Sequence, residues 1–126
     1  VRKVLSVREE LMKPDTRKAA NSISPNIVHS LDACHLMLTV SNAKSEGINS
    51  FALVHDSFAT HAGNSLLMYD VIRTSFIELY KDDVFADLDA QFRSQVVAKK
   101  HSDFPLLPLK GQLDPNVVTD SLYCFA

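Results

Sequence analysis

The chain has 126 residues, 46% of them hydrophobic, and a formal net charge of −2. That is enough apolar material for one packed domain, or for part of a larger one. The charge argues against a free-standing nucleic-acid binder, which is basic as a rule, and no apolar run has the length of a membrane span or the layout of a signal peptide.

Residues 1–8 are rich in apolar and β-branched types and read as a strand. Because the chain starts on Val1 inside that pattern, it is expected to be a piece of a longer protein. The first eighteen residues carry Arg2, Lys3, Arg8, Lys13, Arg17 and Lys18 against Glu9, Glu10 and Asp15; such clusters are usually solvated surface. "KPD" at residues 13–15 breaks the strand, and Asp15 is placed to cap a short helix over "TRKAANS". "SPN" at residues 24–26 is expected to stop that helix, since the residue before a proline avoids helical angles.

A second helix is predicted over residues 27–44. Ile27, Leu31, Cys34 and Leu38 form its apolar face, and His29, Asp32, His35 and Thr39 its polar arc. Cys34 is thus expected in the core, which with only two cysteines fits a reducing compartment. Gly47 is the natural C-terminal cap. Two strands, residues 51–54 and 57–61, follow with only His55 and Asp56 between them. A helix over residues 64–81 should bury Tyr69, Ile72, Phe76 and Leu79. Another over residues 84–99, capped by Asp82 or Asp83, should bury Phe85, Leu88, Phe92 and Val96. Lys99 and Lys100 then fall at its end, where the helix dipole favours cations. The remaining residues hold Pro105, Pro108, Gly111 and Pro115, which exclude a long helix; their apolar content implies packing along the body.

The fold class is therefore α+β, and the His55–Asp56 connection is its most unusual feature. Two-residue hairpin loops prefer Asn-Gly or Gly-X, because the turns that match strand twist need positive φ. Two readings stay open. Asp56 is simply a tolerated turn residue, or the strands hold its carboxylate out for a hard cation such as Mg²⁺, which takes oxygen ligands. The His29, Asp32 and His35 spacing lacks the cysteine pairs or HExxH pattern of a zinc site and reads as a polar helix stripe. Ser57 lacks the G-x-S-x-G elbow of a hydrolase, and no glycine-rich phosphate loop is present.

Three segments together resemble a known family. "SPNIVHSLDACHL" from Ser24, "FALVHDSFATHA" from Phe51 and the closing "LPLKGQLD…SLYCFA" are similar to the C-terminal end of single-subunit DNA-directed RNA polymerases of the phage and mitochondrial type. The resemblance covers residues 1–126 as the C-terminal part of a right-hand polymerase, with the hairpin as its palm motif. It implies template-directed transcription by the two-metal scheme, with the following expectations. Asp56 binds Mg²⁺ as one of two aspartates, and His55 shapes the site beside it. His29 touches the minor-groove side near the nascent pair, where contacts carry little sequence information. Phe125 and Ala126 end a C-terminal foot that folds back toward the site. The partners implied are DNA template, nascent RNA, ribonucleoside triphosphates and the rest of the polymerase chain, with no membrane. Phe58–Ala59, where mitochondrial members usually carry Tyr-Trp, and the short link to the tail favour the phage branch, acting in the host cytoplasm. The alternatives are a family A DNA polymerase, which typically has Glu where Ser57 stands, and a non-catalytic domain that keeps the fold.

One carboxylate cannot hold two metals. These 126 residues alone are therefore expected to add no nucleotide to a primed template, and incorporation by the purified chain above background would overturn that expectation.

Overall fold

The computed structural model describes residues 13–123. The strand expected over residues 1–8 lies outside the described residues, as do Cys124, Phe125 and Ala126. The fold is mixed and helix-rich, with one two-stranded sheet. The chain divides between Leu31 and Asp32 into two compact units.

Helix α1 spans Thr16–Ser45 and enters both units. Asp15 starts it as expected. Its carboxylate accepts from the Lys18 amide at 3.0 Å and its carbonyl from the Ala19 amide at 2.9 Å, satisfying donors that a helix start leaves free. The expected stop at Pro25 does not occur, and the two helices read from the sequence are one. Proline removes a backbone donor and crowds the preceding turn. Asn21, whose carbonyl loses its partner, is exposed, as are residues 23–26, so water reaches that carbonyl and the helix continues. In the first unit the described part of α1 is mostly solvated; Ser22, Ile27 and Leu31 are half-buried.

In the second unit α1 turns inward a face that its apolar pattern did not announce. His35, Thr39 and Ala43, each four residues from the next, are buried, while Cys34 and Met37 are exposed. A core Cys34 is thus overturned, and the compartment inferred from it loses its support. The reason is a polar seam between α1 and α2, the latter spanning Ser65–Leu79. His35 Nε2 lies 3.0 Å from the Ile72 carbonyl. Asn42 Nδ2 donates to Ser75 Oγ at 3.1 Å and to Glu78 Oε2 at 2.9 Å. Thr39 and Ser75, small and fully buried, let the helices meet there. Buried hydrogen-bonding groups generally find partners; those of His35 and Asn42 lie on the neighbouring helix, while the buried Thr39 hydroxyl has none among the described residues.

Gly47 ends α1 as expected. Its φ of 94° lies in the left-handed region. The Ile48 amide returns to the Ala43 carbonyl at 2.9 Å and the Gly47 amide to the Lys44 carbonyl at 3.1 Å, the paired bonds of a Schellman cap. The cap carries Ile48 into the core, where it joins Ala43, Met68, Val71 and Ile72, with Phe51 and Phe58 packed against them.

Strands β1, Ala52–Val54, and β2, Ser57–Ala59, pair antiparallel in the register Ala52↔Ala59, Leu53↔Phe58 and Val54↔Ser57. A 3₁₀ turn over Ala62–Asn64 leads into α2. There Met68, Val71, Ile72, Arg73 and Ser75 are buried, so of the expected stripe only Ile72 is fully inward.

Helix α3 spans Val84–Ser94. Asp83 is its cap, accepting from the Ala86 amide at 3.1 Å. That bond first, then the Lys110 ammonium 3.2 Å away, holds the Asp83 carboxyl below its usual range. The helix stops before Lys99 because the chain turns extended at Val97. Lys99 and Lys100 sit instead in a 3₁₀ segment, Ala98–Asp103. None of α3 is fully buried, and Phe85 and Phe92 of its expected inward stripe are exposed. The tail likewise departs from expectation: Leu106, Leu109 and Leu113 are exposed, while the region around a last 3₁₀ segment, Pro115–Thr119, packs on α2.

Nothing lies within 4 Å of a Cβ added at Gly47, so Gly47→Ala carries a backbone cost without a clash. Urea unfolding should show a loss of about 1 kcal/mol.

Candidate functional site

The site is built from the hairpin tip downward. Leu53 and Phe58 form the middle cross-strand pair and are the half-buried positions of the two strands, whereas Val54, His55, Asp56 and Ser57 are exposed. That alternation is the period of two that a one-faced sheet requires. Phe58 anchors the hairpin, its ring meeting the His35 imidazole edge-on at 5.6 Å. On its other flank His35 meets Phe76 at 5.6 Å, close to perpendicular. At the hairpin base the Thr60 hydroxyl donates to the Ser50 carbonyl at 2.8 Å. Asp56 is thus two residues from an aromatic anchor and stands in solvent on a short, paired lever.

The tip holds the one non-glycine residue with positive φ among the described residues, and it is His55, at 53°. Asp56 is not in that region. Positive φ at the first connecting position alone is the pattern of a type II′ turn, which normally takes glycine there. Histidine tolerates the region better than most side chains, yet a left-handed non-glycine residue still costs about 1 kcal/mol. The strain that the sequence placed on Asp56 falls on its neighbour.

His29 stands exposed on α1 in the first unit. Asp32 is exposed, and its carboxylate adds to burial in holding the Tyr80 hydroxyl above its usual 10.0. His35 is structural: a carbonyl oxygen only accepts, so His35 Nε2 carries the proton of the bond to Ile72. Among the described residues no group of three His, Cys, Asp or Glu side chains could hold a metal ion. Asp56 fits a hard cation as one exposed carboxylate ligand and falls short of a complete set.

Sequence reasoning missed Arg73. It is 5% exposed, and with Tyr69 it lines a cavity of about 290 Å³ shared with Phe58, Thr60, Met68 and Leu122. Neither His55 nor Asp56 lines this cavity. The available signal was a lone cation set directly behind Val71 and Ile72.

With His55 changed to Gly the hairpin should lose its strained residue and no packing. Denaturation of His55→Gly should show stability unchanged or raised by up to about 1 kcal/mol; a clear loss would mean that the imidazole holds the turn.

Residues 2–103 match the DNA-dependent RNA polymerase family. The chain is 39% identical over 121 residues to DNA-directed RNA polymerase 2, chloroplastic/mitochondrial, of Arabidopsis thaliana, covering 96% of this chain and 12% of that protein. It is 38% identical over 114 residues to T7 RNA polymerase of Escherichia phage T7, covering 89% of this chain and 13% of the relative. DNA-directed RNA polymerase 1A of Nicotiana tabacum is 35% identical over 122 residues, with 97% of this chain and 76% of the relative covered. The chain thus spans about an eighth of the length of the first two. Identities of 39% and 38% do not separate the organellar from the phage branch, so the preference read from Phe58–Ala59 finds no support in them. The matches fall on RNA polymerases, which disfavours the DNA-polymerase alternative.

Proposed function

The chain belongs to the DNA-dependent RNA polymerase family, and we propose that it supplies the palm hairpin of a template-directed, right-hand RNA polymerase whose first catalytic aspartate lies elsewhere in the longer protein. The single observation that carries this reading is the hairpin tip. A strained His55 and an exposed Asp56 sit in the shortest common loop, held by an anchored pair of strands. Strain retained at an exposed turn calls for a reason beyond folding, since glycine at position 55 would relieve it.

In this reading Asp56 is one of the two carboxylates that hold Mg²⁺. When bound, the metal ions activate the RNA 3′ hydroxyl and stabilise charge on the departing pyrophosphate. What this chain contributes is placement. Phe58, seated against His35, limits the movement of the strand that carries Asp56. Reaction rates are sensitive to displacements of that kind. His55, next to Asp56 in the chain, is assigned to shape the site near the growing RNA end. His29, exposed on α1, is assigned to the minor-groove side of the nascent duplex, where it checks pair geometry without reading sequence. Phe125 and Ala126 are assigned to the C-terminal foot. The partners are DNA template, nascent RNA, ribonucleoside triphosphates and the remaining polymerase chain. No helix among the described residues is long and apolar enough to cross a membrane. Both a phage enzyme in its host's cytoplasm and an organellar one fit the relatives.

In the full-length polymerase, Asp56→Asn should lower single-nucleotide addition by about a thousandfold, the several kcal/mol that metal-ion stabilisation contributes. An exposed, nearly isosteric change should move stability by no more than about 0.5 kcal/mol. Addition at the parent rate would remove Asp56 from the metal site.

A further inference from the structure

Arg73 is a cation buried in α2 with no carboxylate in ion-pair distance among the described residues. Burying a charge in that way is costly unless hydrogen bonds replace its hydration. Three backbone carbonyls do so here. Arg73 Nη1 donates to Tyr69 at 3.1 Å, Nε to Val118 at 3.0 Å and Nη2 to Ser121 at 3.0 Å. The guanidinium also lies 3.2 Å over the centre of the Tyr69 ring, a favourable cation–π arrangement. The Tyr69 hydroxyl donates to the same Ser121 carbonyl at 3.0 Å. Two of the three carbonyls belong to the C-terminal segment, so the contact clamps that segment to α2. Leu122, the next residue, then lines the cavity that Phe58 lines from β2. Leu122 itself is 81% exposed, so the tail and the hairpin anchor are related through this shared cavity, with Arg73 tying the tail to its α2 wall.

We propose that Arg73 is a positioning residue for nucleotide addition. It locks residues 118–121 onto α2, which shares a cavity with Phe58 of the hairpin that carries Asp56. This rests on the polymerase reading of that hairpin. Arginine is required rather than any cation, because the clamp uses three donor directions of a rigid planar fork that lysine cannot reproduce.

The test uses the full-length polymerase with Arg73→Lys, Arg73→Met and Tyr69→Phe, read by single-nucleotide addition and by amide exchange. Arg73→Lys and Arg73→Met should each lower kcat roughly 10- to 100-fold, the scale expected for misplacement remote from the chemistry. KM for the nucleotide should change little. Exchange protection should be lost over residues 117–123 and kept over residues 71–76. Tyr69→Phe, which removes one of the two donors to Ser121, should show a smaller loss of both. Parent-level kcat or tail protection in Arg73→Lys would overturn the clamp, and so would loss of protection throughout α2 in Arg73→Met, which would make Arg73 a general core residue. Asp56→Asn separates the two readings. If it abolishes addition while the Arg73 variants retain it, only the positioning role falls; if it leaves addition intact, the polymerase reading of the hairpin falls first.

Discussion

The imidazole of His35 joins three elements that otherwise share few contacts. It leaves α1, donates to the Ile72 carbonyl of α2 at 3.0 Å, and packs edge-on between Phe76 and Phe58 at 5.6 Å each. A hydrogen bond of this kind is worth about 1 kcal/mol net. The larger constraint is positional: with the ring 7% exposed and bonded across the seam, α1 cannot rotate to offer its apolar face instead. Thr39, Asn42 and Ser75 follow from that choice, and so does the seat on which Phe58 rests.

The hairpin depends on this seat because a two-stranded sheet has little stability of its own. Its strands are three residues each, and Leu53 and Phe58 are their inward pair. Arg73 acts from the other end of the same cavity, drawing the C-terminal segment in through backbone carbonyls. The exposed pair at the tip is thus backed by a chemically silent residue, the His35 imidazole used as a packing ring against Phe58. For the metal-binding role proposed for Asp56 such backing matters, since a ligand is only as well placed as the residues behind it.

Much of the apolar patterning was legible as periodicity without being legible as burial. Phe85 and Phe92 recur at helical spacing, yet they face solvent at 53% and 41% exposure. Leu106 and Leu109 are almost fully exposed. A stripe shows that a face is suited to be covered and does not identify what covers it. The opposite error occurred on α1, where two members of the polar arc, His35 and Thr39, proved to be buried while His29 and Asp32 stayed exposed. Hydropathy rates histidine as outward, but its cost of burial falls when the opposing helix supplies a partner, as the Ile72 carbonyl does for His35.

Local chemistry was determined by the sequence alone. Asp15 and Asp83 cap helices because a carboxylate next to free amides needs no distant partner. Gly47 ends α1 because its left-handed angle is open to glycine. The two-residue spacing between apolar runs set the hairpin and its tip, and the three motifs pointed to the polymerase family. Tertiary structure decided what depends on a partner far along the chain: that His35 faces inward and Cys34 outward. It also decided that Arg73 binds carbonyls 45 and 48 residues away rather than the neighbouring Asp70. A cap or a turn is settled within a few bonds, whereas a buried polar group is acceptable only once another element has arrived to satisfy it.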